Sequence, residues 1–286
     1  MKKIFLVSTL IVIGLVGIII YQNIKYADKK LHVVFCDVGQ GDAIFIRTPK
    51  GSDILVDGGP DDSVLSCLSN NMPFWDRTIE LLILTHPDAD HVTGLIDVIE
   101  RYSVIRFYTS DVETTTAVYK EFLKKIADYK IRKNYLWQGD KFVFEERLVL
   151  ETFWPTRLWR EESGGSPTNS FSIITLLTYK NFGLLLTGDS DLAQMEEVVG
   201  SLRGEQEDIE VIKIPHHGSR FGISGQVLDI ISPELAVISV GENNSYGHPT
   251  PFVLGLLKEK NIKTLRTDQN GEVKIISNGS NFQILQ

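Results

Sequence analysis

The sequence predicts an α/β fold in which two sheets pack face to face under helices, a four-layer αββα sandwich preceded by one N-terminal transmembrane helix. Three observations predict it. Strand-like runs dominate both halves of the chain with helix-like segments between them, an order that two packed sheets with helices on both outer faces satisfy. The run "LLILT" at 81–85 is apolar at four successive positions, which fits a strand buried on both sides. The opening "IFLVSTLIVIGLVGIII" is seventeen residues without a charge.

Taken in order, that opening span rises about 26 Å as a helix, close to the hydrocarbon thickness of a bilayer. A cleaved signal peptide is the rival, but it ends in small residues at a cut site. Here "YADKK" would put Lys25 at the third position before a cut after Ala27, so an uncleaved anchor is favoured. Lysines flank both ends of the span, and the three-residue tail beside Lys2 and Lys3 favours a cytoplasmic N-terminus and a domain outside. The expected organisation is an anchor over 1–24, a polar linker over 25–30 and one domain over 31–286.

From Leu31 the text "LHVVFCDVGQGDAIFIRTPKGSDILVDGGP" reads as three strands separated by Gly-rich turns. "DDSVLSCLSNN", "HVTGLIDVIERYS" and "TTAVYKEFLKKIADYK" read as helices, the last with Val118, Phe122 and Ile126 on one face. Two strand pairs follow in "QGDKFVFEERLVLETFWP" and "FSIITLLTYKNFGLLLTGD", then the helix "DLAQMEEVVGSL" and the strands "IEVIKIP" and "ELAVISVG". "TPFVLGLLKEKN" has Thr250 to cap a helix and Pro251 at its first position.

The 286-residue chain has a net charge of -8, but residues 1–30 hold five Lys/Arg and one Asp, so the remainder has 24 basic and 36 acidic side chains. That balance of -12 is the opposite of a generic nucleic-acid binder. Cys36 sits in a strand run and Cys67 in a helix, and no CxxC unit exists. Two buried thiols are expected, with neither a disulfide nor a thiolate zinc site.

Five of the six histidines fall in three loops that each follow an apolar run: "THPDADH" with His86, Asp88, Asp90 and His91, "PHHGS" with His216 and His217, and "YGHP" with His248. A fourth such loop, "LLLTGDS", supplies Asp189. Strand ends gather groups from distant parts of a chain, and imidazoles with carboxylates are the usual ligands of divalent metals.

"THPDADH" resembles the first motif, H-x-H-x-D-H, of the metallo-β-lactamase fold superfamily, and "LLLTGDS" resembles its metal-bridging Asp motif. More narrowly, "FCDVGQGDA", "LVDGG", "THPDADHVTGL", "LLTGDS", "IPHHGS" and "TDQNGEVKI" in this order resemble the hydrolase domain of ComEC-type competence proteins from about Leu31 to Gln286. The resemblance implies a metallo-β-lactamase fold. It places His86 and Asp88 at one metal position, Asp90 and His91 at a second, Asp189 as the bridge and His248 as the closing ligand. His216 or His217 would then protonate a leaving group. His217 and His248 can exchange these roles, and the sequence leaves both assignments open. Asp90 or Asp37 would orient the nucleophile, and Asp57 would support a ligand His.

Two departures from the superfamily pattern fall on the first metal position. Asp88 stands where an imidazole is usual, and the stretch before "LLLTGD" offers Asn169 and Ser170 in place of a third-motif His. Oxygen donors move preference from Zn²⁺ towards harder ions such as Mn²⁺, so one or two divalent ions are expected, one tight and one loose.

The implied function is a single-pass membrane phosphodiesterase that degrades DNA outside the cell, possible partners being DNA and competence membrane components. Candidate DNA contacts are "KEFLKK" and Arg157 and Arg160 with Trp154 and Trp159 as stacking surfaces. The alternatives are the same chemistry on teichoic acid or a phospholipid head group, and a non-catalytic surface module stabilised by metal.

Overall fold

The computed structural model describes residues 2–145, 147–162, 166–202 and 208–285. Helix Lys2–Tyr26 contains the apolar span, none of which is buried against the rest of the protein. By length and composition it can cross a membrane, a property that signal sequences share.

Beyond it, the described residues form an eight-stranded and a seven-stranded sheet. Across the first, the strands run Phe282–Leu285, Val273–Ser277, Leu31–Phe35, Ile44–Arg47, Asp53–Val56, Leu81–Leu84, Phe107–Thr109 and Lys133–Tyr135. Across the second they run Lys263–Arg266, Leu235–Ile238, Val211–Lys213, Phe182–Leu186, Ile174–Tyr179, Leu148–Trp154 and Lys141–Glu145.

Each inner strand alternates between two apolar environments. Ile44, Ile54, Val56, Leu81 and Ile83 face Leu148, Leu177, Leu184 and Val237 in the core between the sheets. Their neighbours Phe45, Leu55, Leu82 and Leu84 face outward under helices Ser63–Asn71, Ala89–Arg101 and Ala117–Asp128. On the other side, Leu176, Leu185, Ile212 and Ala236 lie under Leu192–Leu202, Gly225–Ile231 and Pro251–Glu259. This is the αββα sandwich. It explains why the sequence shows apolar runs in place of alternation, because both strand faces are covered.

The cysteines depart from expectation: Cys36 and Cys67 form a disulfide, with Cα atoms 5.8 Å apart. Cys36 ends the first strand on its outward face, and helix Ser63–Asn71 lies over that face with Cys67 buried. Sequence distance hid a contact that the packing of helix on sheet creates. Disulfides persist in oxidising compartments, so the pair points to an extracytoplasmic location for this part of the chain.

The two tryptophans taken as stacking surfaces also depart from expectation. Trp154 is buried and donates through Nε1 to the Ser170 carbonyl at 2.9 Å. Trp159 packs on Trp154 and Phe171 with ring centroids 4.9 and 4.7 Å away. Both are core. Arg160 is engaged with Asp111, and in "KEFLKK" Lys125 pairs with Glu100 on the neighbouring helix.

Candidate metal centre

The loops that gather the histidines leave the same end of the two sheets. They follow strands Leu31–Phe35, Asp53–Val56, Leu81–Leu84, Phe182–Leu186, Val211–Lys213 and Leu235–Ile238. Three residues there, Asp57 (φ 60°), His216 (49°) and His217 (52°), adopt left-handed geometry. For residues with a Cβ this costs roughly 1–2 kcal/mol each, and it is tolerated where the surroundings fix the turn. In the "PHH" turn it aims two successive rings into one site.

Asp90, His91, Asp189 and His217 each bring one donor atom to within 4.8 Å of the others. His217 Nε2 lies 3.1 Å from Asp189 Oδ2 and 3.4 Å from Asp90 Oδ2, and His91 Nε2 lies 3.4 Å from Asp189 Oδ2. Beside them His86 Nε2 is 3.6 Å from Asp88 Oδ2, and the His86 and His91 rings are 4.2 Å apart.

The donor chemistry fits a divalent cation. The Nε2 atoms of His86, His91 and His217 are buried and have no hydrogen-bond partner, while every Nδ1 is held. His91 Nδ1 donates to Asp57 Oδ2 at 2.9 Å, and His217 Nδ1 donates to the Ser239 carbonyl at 2.9 Å. His86 Nδ1 lies 3.1 Å from Thr85 Oγ1, whose own proton goes to Asp57 Oδ2 at 2.7 Å. Fixing Nδ1–H leaves the Nε2 lone pair free, the arrangement by which proteins orient metal-ligating imidazoles.

Without a cation, protons collect in its place. Burial alone would lower His217, yet Asp189 and Asp90 hold it up to about 9. Burial is likewise overcome at His91, which Asp189, Asp57 and Asp90 raise well above the usual value. Burial would raise the carboxyls, but His217, His91 and Lys213 keep Asp189 well below its usual range. His91 and His217 bring Asp90 down to about 2.

One group at the site escaped sequence reasoning. Lys213 is fully buried, its ammonium pairing with Asp42, donating to the Gly188 carbonyl at 2.7 Å and lying 3.4 Å from Asp189 Oδ1. Asp42 turns inward 3.6 Å from His217 Nδ1. A lysine inside the apolar run "VIKIP" was the available signal. Asp42, Asp57 and His91 also lie close enough to chelate, but the Lys213 ammonium already neutralises Asp42 and His91 Nδ1 is bonded to Asp57.

The other expected site residues spread around this centre. Asp88 Oδ1 accepts from Thr168 at 2.7 Å, and Asn169 Nδ2 donates to His216 Nε2 at 3.3 Å. Ser170 is buried with its carbonyl on Trp154, and Asp37 is exposed. His216 is partly exposed, 4.0 Å from Asp189 Oδ2. His248 lies outside the four-donor group, its ring 5.7 Å from that of His216 and stacked on Tyr246. Burial and the neighbouring His216 and His217 lower its pKa. Of the two exchangeable assignments, the geometry brings His217 and not His248 to the cluster.

The profile of the Metallo-beta-lactamase superfamily matches residues 36–241, across the strand ends that build this centre. The chain belongs to the metallo-β-lactamase superfamily. Among solved metallo-β-lactamase folds it is similar to Tm1679, a metal-dependent hydrolase of the beta-lactamase superfamily, at 15% identity and a TM-score of 0.55 over 85% of this chain and 98% of that one. It is also similar to Zn²⁺-bound PqqB from Methylobacterium extorquens, at 13% identity and a TM-score of 0.52 over 82% and 97%. In sequence it is 27% identical to ComE operon protein 3 of Bacillus subtilis over 83% of this chain and 32% of that protein. Identity to Competence protein ComA of Neisseria gonorrhoeae is also 27%, over 92% and 35%. The chain thus spans about a third of the length of these relatives.

Proposed function

We propose that this chain is a metal-dependent phosphodiesterase that cleaves DNA outside the cell, anchored in the membrane by its N-terminal helix. The observation that carries the reading is the set of three buried, unpartnered Nε2 atoms facing Asp189 and Asp90. His91, His217, Asp189 and Asp90 would hold the tight ion. His86 and Asp88, with Thr168 and Asn169 where further imidazole is absent, would hold a second ion weakly. Oxygen donors at that second position favour Mn²⁺ over Zn²⁺. The bound cation would offset charge on a phosphoryl oxygen and lower the pKa of water.

The remaining roles belong to side chains of the chain. Asp57 fixes the His91 ring, and the Ser239 carbonyl fixes His217. His216 turns its Nε2 edge to the centre, 4.0 Å from Asp189 Oδ2 and 3.3 Å from Asn169 Nδ2. A proton taken up at Nε2, with the Asn169 amide turned to present its oxygen, would stand where it can be handed to a departing alkoxide. His248, with its pKa lowered, is suited to accept a hydrogen bond. DNA as substrate is supported by the relation to proteins named for competence across 83% and 92% of the chain. The disulfide and the apolar helix support an anchored domain outside the cytoplasm.

The test is hydrolysis by the purified full chain with Mn²⁺ of single- and double-stranded DNA and of bis-p-nitrophenyl phosphate. Cleavage of both DNA and ester supports the proposal. Ester cleavage without DNA cleavage moves the substrate to another surface phosphodiester, and retained turnover in Asp189→Asn overturns the ligand assignment.

A further inference from the structure

At the end of the sandwich opposite the metal centre, the apolar helix meets the domain. Its last turn is tied to the C-terminus of helix Ser63–Asn71: Tyr26 Oη donates to the Asn70 carbonyl at 3.0 Å and Lys25 Nζ at 3.4 Å. The Arg47 guanidinium lies 5.9 Å from the Tyr26 ring. The chain that leaves Asn71 forms the loop "MPFW", in which Phe74 and Trp75 are 52% and 43% exposed and touch edge to face, 4.8 Å between centroids. A cleft of about 780 Å³ joins the two features, with Gln22, Tyr26 and Lys29 on the helix side and Lys50, Pro73 and Trp75 on the domain side.

The position of this pair along the helix matters. The apolar run ends at Ile20, where Tyr21, Gln22 and Asn23 follow, and Trp75 shares a cleft with Gln22, two residues further on. At ~1.5 Å per residue that is about 3 Å beyond the end of the span. Trp75 is therefore level with the zone where a bilayer gives way to head groups, the zone in which Trp side chains are enriched. Exposed Lys29 and Lys50 line the same cleft as Trp75, and Lys25 and Lys30 are exposed on the stretch of chain that holds Lys29, although residues 31–286 as a whole are acidic.

Resting on the reading of the helix as a membrane anchor, we infer that this face is a membrane-docking surface. Phe74 and Trp75 enter the interface, and the four lysines meet the phosphates of anionic phospholipids. Lysines near such a surface contribute about 1 kcal/mol each, and the aromatic pair adds apolar burial.

Docking sets the direction of the catalytic mouth. Strand Asp53–Val56 starts beside the docking face, where Asp53 pairs with Arg47, and ends at Asp57 beneath the metal centre. Four residues at ~3.3 Å per residue place the centre roughly 13 Å or more farther from the bilayer. The site opens away from the membrane, so phospholipids of that bilayer are out of its reach and the substrate arrives from solution.

The test uses the full chain reconstituted into phosphatidylcholine vesicles, with and without phosphatidylglycerol, carrying bromine at a shallow acyl position. The emission of Trp75 is the difference between the wild type and Trp75→Phe. Docking predicts that this component is blue-shifted and quenched by brominated lipid, as for a Trp at the head-group level, more strongly with phosphatidylglycerol. In Lys29→Glu/Lys30→Glu the extra effect of phosphatidylglycerol should vanish. An alkaline wash separates the two ways of failing. Protein released by the wash overturns the anchor and the docking together. Protein retained in the vesicles with an unquenched, water-like Trp75 component overturns the docking alone.

Discussion

Gly41→Ala is a small perturbation with a large expected effect, because the turn "DVGQGD" and the metal loop touch through backbone. Gly41 has φ +146°, and a Cβ added there would lie 2.1 Å from the Asp90 carbonyl oxygen and 3.1 Å from its carbon. That carbonyl also accepts from the Asp42 backbone N–H at 3.2 Å. Ordinary contact begins near 3.4 Å, so the Asp90 backbone must retreat by about 1 Å, and a misplacement of that size near reacting groups can cost ~10²-fold. Asp90 Oδ2 has only 3.4 Å to His217 Nε2, so the carboxylate leaves the donor set as its backbone moves. Gly39→Ala is the control. Gly39 also has positive φ (+75°) but nothing within 4 Å of the added Cβ, so it brings conformational strain of roughly 1–3 kcal/mol without displacing a ligand. The assay is turnover of bis-p-nitrophenyl phosphate with Mn²⁺, with bound metal counted after desalting. Gly41→Ala should lose turnover by about two orders of magnitude and bind less metal, while Gly39→Ala stays within a few-fold of wild type at some loss of stability. If Gly41→Ala turned over normally, or both variants failed equally, the contact with Asp90 would not be what governs the site.

His216→Ala should lower turnover by ~10²–10⁴-fold at unchanged metal stoichiometry, whereas His217→Ala should lose the metal; equal metal loss in both, by elemental analysis, would contradict the assigned roles. A cation must displace the protons that the neighbouring carboxylates hold on His91, raised well above its usual value, and on His217, raised to about 9, so metal affinity measured by calorimetry should tighten as pH rises towards 9. In metal-free protein the sign is opposite: the His217 contribution to stability is complete below its ordinary 6.5 and fades as pH rises through about 9, so chelator-treated protein should melt earlier above pH 9 than below 6.5. Reducing Cys36–Cys67, which closes a separation of 31 residues, should destabilise the fold by roughly 3–4 kcal/mol; an unchanged urea midpoint with reductant would refute this.

The catalytic end of the fold was legible because its parts are local. A strand buried on both sides is a short apolar run, and a polar His/Asp cluster directly after it can only sit at a sheet end, so "THPDADH", "LLLTGDS" and "PHHGS" announce themselves. What stayed hidden depends on contacts across layers. Cys67 meets Cys36 because one helix lies over one strand end. Trp154 and Trp159 look like surface aromatics beside Arg157, and only the packing with Phe171 makes them core. The strand Lys133–Tyr135, sequence "KNY", has no apolar signal of its own and exists through its ladder to Phe107–Thr109. That His217 and not His248 joins the four-donor cluster goes with a left-handed turn that sequence spacing does not encode.

The buried charges explain why the unread Lys213 belongs to the site. Asp42, Asp57 and Asp189 are buried and Asp90 is partly so, which makes four carboxylates against one ammonium. Isolated charges are costly to bury unless paired, so Lys213 compensates one of them and three negative charges remain. Without metal, His91 and His217 are the two imidazoles drawn upward by these carboxylates, and as imidazolium ions they supply two positive charges. A single divalent cation supplies the same two. Protons and metal are therefore interchangeable fillings of one electrostatic frame, and uptake of the first ion near neutral pH should release about two protons. Calorimetry in buffers of different ionisation enthalpy counts them directly, and a release near zero would mean that the cation binds outside the His91–His217 pair.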